Sequence, residues 1–190
     1  MTHLLDRLEQ DHKHIVLLLD LYEKILDMFR DGQEPDYELL SELLQFMENY
    51  ADQIHHPTEE LIFDRLRAAG QHQGVLDVLT RQHEVLSQLT RFFRQSLDGV
   101  INSEVFRRDE LEVQGRDLVT TLRNHLNLEE AEVFPLARQV LTDEDWAAIQ
   151  AEVQEKISPI FDETDLARFR EIMARHGTDT AAAFSRLVAT

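Results

Sequence analysis

The stretch LEVQGRDLVTTLRNHLNLEEAEVFPL, residues 111–136, repeats its apolar side chains every three or four positions. Leu111, Leu118, Leu122, Val133 and Leu136 fall on one face of a helix, and His125 and Glu129 fall on that same face. The pattern predicts a long amphipathic helix over about Asp109 to Val140 whose buried stripe carries two polar residues one turn apart. Three further segments read the same way. A first helix is expected from Thr2 to Phe29, with the stripe Leu5, Leu8, His12, Ile15, Leu19, Tyr22, Leu26 and Phe29. A second runs from after Pro35-Asp36 to Ala69, with Leu40, Leu44, Met47, Ala51, His55, Glu59, Ile62 and Leu66 inward, and stops at Gly70. A third runs from Gly74 to Leu97, before Asp98-Gly99, with Leu76, Leu79, His83, Leu86, Phe93 and Leu97. No stretch alternates with the period of a strand, so the chain is all-α, and short connections favour an up-down-up-down four-helix bundle.

Helical rise sets the register. His12 lies 18 residues before Arg30 and His55 lies 20 after Pro35, so a hairpin brings both to one height, roughly 27 to 30 Å from the turn. Glu59 lies 11 residues before Gly70 and His83 lies 9 after Gly74. His83 lies 15 before Asp98 and His125 lies 16 after Asp109, so four helices each bring a histidine to one layer. His55 and His125 each have a glutamate four residues on, Glu59 and Glu129, on the same helical face. Four imidazoles and two carboxylates form a set suited to two first-row cations, with both carboxylates bridging; it suits iron or manganese, and zinc also fits. A buried glutamate without a partner is costly, which weighs for a metal over four independent core histidines.

The count leaves two choices open. His14 competes with His12, and the pair His56 and Glu60 has the same spacing as His55 and Glu59. The apolar neighbours of His12 and the Leu44, Met47 and Ala51 face of His55 favour the first member of each choice. Pro57 removes a helix donor between His55 and Glu59, so a kink or bulge is expected there. Glu130 and Glu132 read as solvated acids, with Glu130 also able to accept from an imidazole N–H, and His3, His72 and His176 read as surface residues. Ile15, Leu19, Ile62, Leu86 and Leu122 are the expected apolar wall around the layer.

Composition narrows the partners. The chain has 190 residues, 19 Lys plus Arg against 37 Asp plus Glu, a formal charge of −18 and no cysteine. Such a field repels nucleic acid and anionic lipid, and the missing thiols exclude disulfides, thiolate metal sites and cysteine nucleophiles. No apolar run approaches a membrane span, and Met1 to Asp6 has no signal-like character, so a cytoplasmic protein is expected. Beyond residue 140, Thr142 to Asp145 resembles a capped helix start, with helices expected over Trp146 to Lys156, Thr164 to Arg175 and Ala181 to Val188. We therefore expect a bundle over 1–140 and a helical extension over 141–190. Through Trp146, Ile160, Phe161 and Phe184 that extension has three open roles: packing on the bundle, covering a pocket mouth, or forming a homodimer or partner surface.

The ligand-rich segments resemble a known family. Asp11-His12-Lys13-His14-Ile15, the run His55-His56-Pro57-Thr58-Glu59-Glu60, Gln82-His83-Glu84, and His125-Leu126-Asn127-Leu128-Glu129-Glu130 leading to Phe134-Pro135 are similar to the signatures of the hemerythrin HHE cation-binding domain, over about residues 2 to 140. The resemblance implies an oxo- or hydroxo-bridged centre of two iron ions, with His12, His55, His83 and His125 as terminal ligands and Glu59 and Glu129 as bridges. It implies O2 or NO as the ligand, in sensing, storage or redox and nitrosative defence. Oxygen-carrying members place two histidines one turn apart on the third helix and an aspartate bridge on the fourth. Here Leu79 and Ser87 flank His83 at that distance and the bridge is Glu129, which argues against reversible oxygen carriage. The competing functions are iron or zinc storage and delivery without gas chemistry, and a metal-free helical bundle that docks a partner.

Overall fold

A computed structural model describes residues 3–156, with side chains to residue 153. The described residues form α1 (His3–Arg30), α2 (Tyr37–Tyr50), α3 (His56–Ala68), α4 (Gln73–Ile101), α5 (Arg108–Leu128), α6 (Phe134–Val140) and α7 (Asp143–Lys156). A π-helical turn, Ala51–His55, joins α2 to α3, and a second, Glu129–Val133, joins α5 to α6. Each α–π–α run is one continuous rod, so the bundle has the four expected legs in up-down-up-down order. α1 packs on α5, α2 on α4, and α4 on α5.

The α1–α2 and α3–α4 turns are built on glycine, whereas the α4–α5 turn places Ser103 in the left-handed region. Gly32 and Gly70 have φ of 72° and 74°, in the left-handed region where a side chain is strained. The next residue's N–H reaches back over each turn, Gln33 to Met28 at 2.9 Å and Gln71 to Leu66 at 3.0 Å, satisfying helix-end carbonyls. Asp36 caps α2 by accepting from the Leu39 N–H at 2.9 Å.

Two boundaries differ from the sequence reading. The third leg runs through Asp98-Gly99 to Ile101 rather than ending at Leu97, and Gly99 gives its missing side chain's space to Phe106 of the following connection. That connection contains Val105 and Phe106, and the fourth leg starts at Arg108. The fourth leg is also not one α-helix. Beyond the Glu129–Val133 turn the inward positions are Phe134 and Ala137, and Leu136 is only half-buried.

Both interruptions have the same physical cause. Pro57 and Pro135 carry no N–H and their rings clash with the carbonyl four residues back in an α-helix. The wider turn removes that clash: the His56 N–H bonds to the Ala51 carbonyl and the Phe134 N–H to the Glu129 carbonyl, each five residues back.

The interior has three zones. One apolar cluster holds Ile15, Leu19, Leu44, Met47, Leu86, Phe93, Leu122 and Leu126. Another holds Leu8, Ile62, Phe63, Leu79, Val133 and Phe134, and α7 adds Trp146, Ile149 and Val153 to it. Between them, along every leg, lies a polar residue of the predicted layer. The start of the 141–190 extension thus packs on the bundle. The expected helices over Thr164–Arg175 and Ala181–Val188, with Ile160, Phe161, His176 and Phe184, lie outside the described residues.

Candidate metal centre

The structure brings together all six residues that helical counting placed at one height. His12, His55, Glu59, His83, His125 and Glu129 are all buried, with Glu59, Glu129 and His125 fully so. The four imidazoles converge through Nε2. His12 Nε2 stands 3.1 Å from His55 Nε2, and the His83 and His125 ring centroids are 4.8 Å apart. The layer therefore divides into two histidine pairs, His12 with His55 and His83 with His125.

The carboxylates straddle those pairs. Glu59 Oε1 lies 3.1 Å from His55 Nε2 and 3.4 Å from His12 Nε2, while its Oε2 lies 3.4 Å from His83 Nε2. Glu129 Oε1 lies 3.2 Å from His125 Nε2 and 3.6 Å from His83 Nε2, while its Oε2 lies 3.5 Å from His12 Nε2. Each glutamate gives one oxygen to each pair.

Outward-facing Nδ1 atoms fix the rings. His12 Nδ1 donates to Glu130 at 3.1 Å, His83 Nδ1 to Glu60 at 2.9 Å and His125 Nδ1 to the Gln82 side-chain carbonyl at 3.1 Å. His55 Nδ1 faces the Asp11 carboxylate at 3.7 Å. An imidazole that donates through Nδ1 presents the Nε2 lone pair inward when neutral, the orientation a metal ligand needs. Phe134 stacks on His12 and Phe63 on His83, with centroids 5.0 and 5.8 Å apart.

The layer has donor atoms that the protein leaves unmatched. Both oxygens of Glu59 and of Glu129, and the Nε2 atoms of His83 and His125, are buried with no hydrogen-bond partner. Burying a carboxylate this way is costly unless it is paired or coordinated. The donor set fits cations: His12, His55 and Glu59 offer ligand atoms within 4.8 Å of one another, and so do His56, Glu59, His83 and His125.

Without a cation, the layer manages its charge by sharing protons. Burial alone would lower the pKa of His55, but Glu59 and Asp11 raise it to about 10. For His83, burial is likewise outweighed by Glu129, Glu59 and Glu60, which raise it to about 11. Burial lowers His125 to about 3. Burial and the Glu59 charge push Glu129 up, whereas His55, His12 and His83 overcome burial to hold Glu59 well below the carboxylate range. A cation pair would replace these protons.

Burial places His12 rather than His14 in the layer and brings both His55 and His56 to it. His12 is buried in the layer, and His14 sits half-buried at its edge, its Nε2 3.4 Å from Gln10. His55 and Glu59 face the layer, while Glu60 stands behind His83 and also accepts from Thr80 at 3.0 Å. His56, however, is buried too, its ring stacked on His83 with centroids 4.1 Å apart. A straight-helix count turns His56 away; the π turn before it brings both histidines inward. Ile15, Leu19, Ile62, Leu86 and Leu122 are buried as expected. Glu132, His3 and His72 are exposed, and Glu130 is half-exposed yet bonds His12. Asp11, Glu60 and Gln82 as ring-orienting partners were not read from sequence, because each acts across helices.

Residues 3–137 match the family model described as Hemerythrin HHE cation binding domain. The chain belongs to this hemerythrin family. No curated protein and no solved structure matches it. Family membership and the buried His and Glu cluster together indicate a metal-binding site on this bundle. Among the described residues, no helix is long and apolar enough to cross a membrane.

Proposed function

We propose that this hemerythrin-family bundle holds two iron ions in the layer and binds O2 or NO there, in sensing, storage or redox and nitrosative defence. In this reading His12 and His55 would hold one ion and His83 and His125 the other, with Glu59 and Glu129 shared between them. The observation that carries it is the split of each carboxylate, one oxygen toward each histidine pair. A single-metal site would not call for two glutamates divided in this way. Imidazole and carboxylate donors suit iron, with manganese or zinc as weaker candidates.

A bound iron pair supplies the electrons and the binding position for a diatomic gas. The chain's residues do the rest. Glu130, Glu60 and Gln82 hold three of the rings in the ligating orientation. Phe63 and Phe134 cover His83 and His12 on one side, and the apolar wall favours a small neutral ligand over a charged one. The absence of a histidine one turn from His83 on its own helix favours sensing or defence over reversible carriage; the further imidazole beside His83 is His56 of α3. An interface through the C-terminal extension and a cytoplasmic setting belong to the same proposal.

The test is anaerobic reduction of the iron-loaded, full-length protein followed by O2 or NO titration watched by absorption. New charge-transfer bands that saturate with gas support the proposal. Two bound irons that give no spectral change with either gas would reject gas binding and leave storage or delivery. Two zinc ions in the protein as isolated would reject the iron assignment.

A further inference from the structure

A cavity of about 260 Å³ adjoins the layer, with His55, His56 and His125 in its lining. Its walls are mainly apolar, including Leu18, Met47, Leu86 and Leu126, all buried. Its lining also includes Arg7, Asp11, Glu48 and Asp52, which are at least partly exposed. The cavity therefore runs from solvent to the margin of the histidine cluster.

Its size exceeds what a diatomic gas needs. An apolar cavity of roughly 150 Å³ already holds a benzene molecule, so this one takes a one- or two-ring molecule. The chemistry of the wall selects the ligand's charge. Apolar side chains penalise an ion stripped of water, and a rim with Asp11, Glu48 and Asp52 against Arg7, on a chain of net charge −18, offers an anion little attraction even though Glu48 and Asp52 are paired with Arg91 and Arg94. One end is polar. His56, buried and stacked on His83, adds an imidazole there that the proposed ligand assignment leaves over, although it offers a ligand atom within 4.8 Å of those of Glu59, His83 and His125. Its Nδ1 is 4.0 Å from Asp52, beyond hydrogen-bond range.

We infer that this cavity binds a neutral aromatic molecule of one or two rings carrying a single hydroxyl or amine, which meets His56 beside the metal layer. The ligand's ring lies among Leu18, Met47, Leu86 and Leu126, and its polar group bonds the imidazole. The inference goes beyond gas binding and does not depend on it, since shape and polarity of the cavity are properties of the protein chain.

The experiment uses the full chain, with metal content measured first, so that failure to load metal is seen separately from failure to bind the organic ligand. Phenol, toluene and benzoate are titrated calorimetrically, and crystals are soaked in 4-bromophenol. Phenol is expected to bind one per chain, about fivefold tighter than toluene, the worth of one hydrogen bond, and at least about tenfold tighter than benzoate. The bromine anomalous peak is expected between Leu86 and Met47. The filling variant Thr90→Met, at a buried lining position, is expected to weaken phenol at least about tenfold with metal content unchanged. No saturable phenol binding, equal affinity for benzoate, or bromine outside the cavity would overturn the inference. If Thr90→Met fails to fold, the wild-type titration and the bromine position decide it alone.

Discussion

The two kinds of interior in this bundle solve opposite problems. The apolar clusters on either side of the layer, such as Tyr22, Leu26, Phe93 and Leu118 on one side and Phe63, Leu79 and Phe134 on the other, are stable through burial alone. The layer between them buries two carboxylates and four ring nitrogens' worth of polarity, and six of its inward donor atoms have no partner. An interior that only held helices together would not retain such a layer. The difference teaches that the apolar zones set the register and that the layer uses it.

Removing a ligand separates the zones most sharply. His125→Ala or Glu129→Ala should lose bound metal, and with it the stabilisation of about 2.7 kcal/mol that a ligand gives at a hundred times its Kd. Elemental analysis and thermal melts should fall together. Glu129→Leu, which keeps the space filled, should lose metal as fully as Glu129→Ala. His3→Ala, at an exposed position, should change neither.

Acidity separates them next. His55 and His83, at about 10 and about 11 in the metal-free layer, are protonated at neutral pH and must be neutral to ligate. With Glu129 pushed up to about 7, metal binding at pH 7 should therefore release between two and three protons, and affinity should rise at least about a hundredfold per pH unit. The metal-free fold has the opposite slope. Imidazoles whose pKa rises on folding contribute stability that is complete below their unfolded value near 6.5 and is lost as pH climbs through 10 to 11. Calorimetry in buffers of different ionisation enthalpy counts the protons, and melts of metal-free protein from pH 6.5 to 10 give the second slope. An apolar core alone would give neither.

Smaller effects follow from the ring-orienting partners. Gln82→Ala and Glu60→Ala each leave one Nδ1–H unbonded and should weaken metal binding by about 10- to 100-fold while the fold survives. Competition with a chelator reads this directly. The apolar zone has its own probe in Gly115, where an added Cβ would meet Leu26 and would stand 3.0 Å from Phe93. Gly115→Ala should cost about 1 to 3 kcal/mol in denaturant unfolding and leave the intrinsic metal stoichiometry intact.

The register of the layer was readable from the chain because helical rise is regular: counting from the turns placed His12, His55, His83 and His125 at one height. The bulges were only half readable. Pro57 announced one, while the equivalent signal at Pro135 went unread, and Leu136 was assigned inward where Ala137 in fact turns in. Straight-helix counting also placed His56 on the wrong face, since a π turn changes the angle between neighbouring residues. Of the ring nitrogens' partners the sequence suggests Glu130 as an acceptor without its histidine, and leaves Asp11, Glu60 and Gln82 unread, for another reason. Glu130 reaches His12 across 118 residues and Gln82 reaches His125 across 43, so they depend on how the legs are rotated about their axes, which apolar stripes fix only coarsely. Gly99, which local sequence marks as a stop, instead lies within the third leg and makes room for Phe106.

The central claim is that the polar layer is a two-metal site, and the most direct test is metal identity and stoichiometry on untagged, full-length protein, as isolated and after reconstitution. The account predicts about two ions per chain, iron in both, and none in Glu129→Leu. A parent protein that carries no metal and takes up none on reconstitution would contradict it.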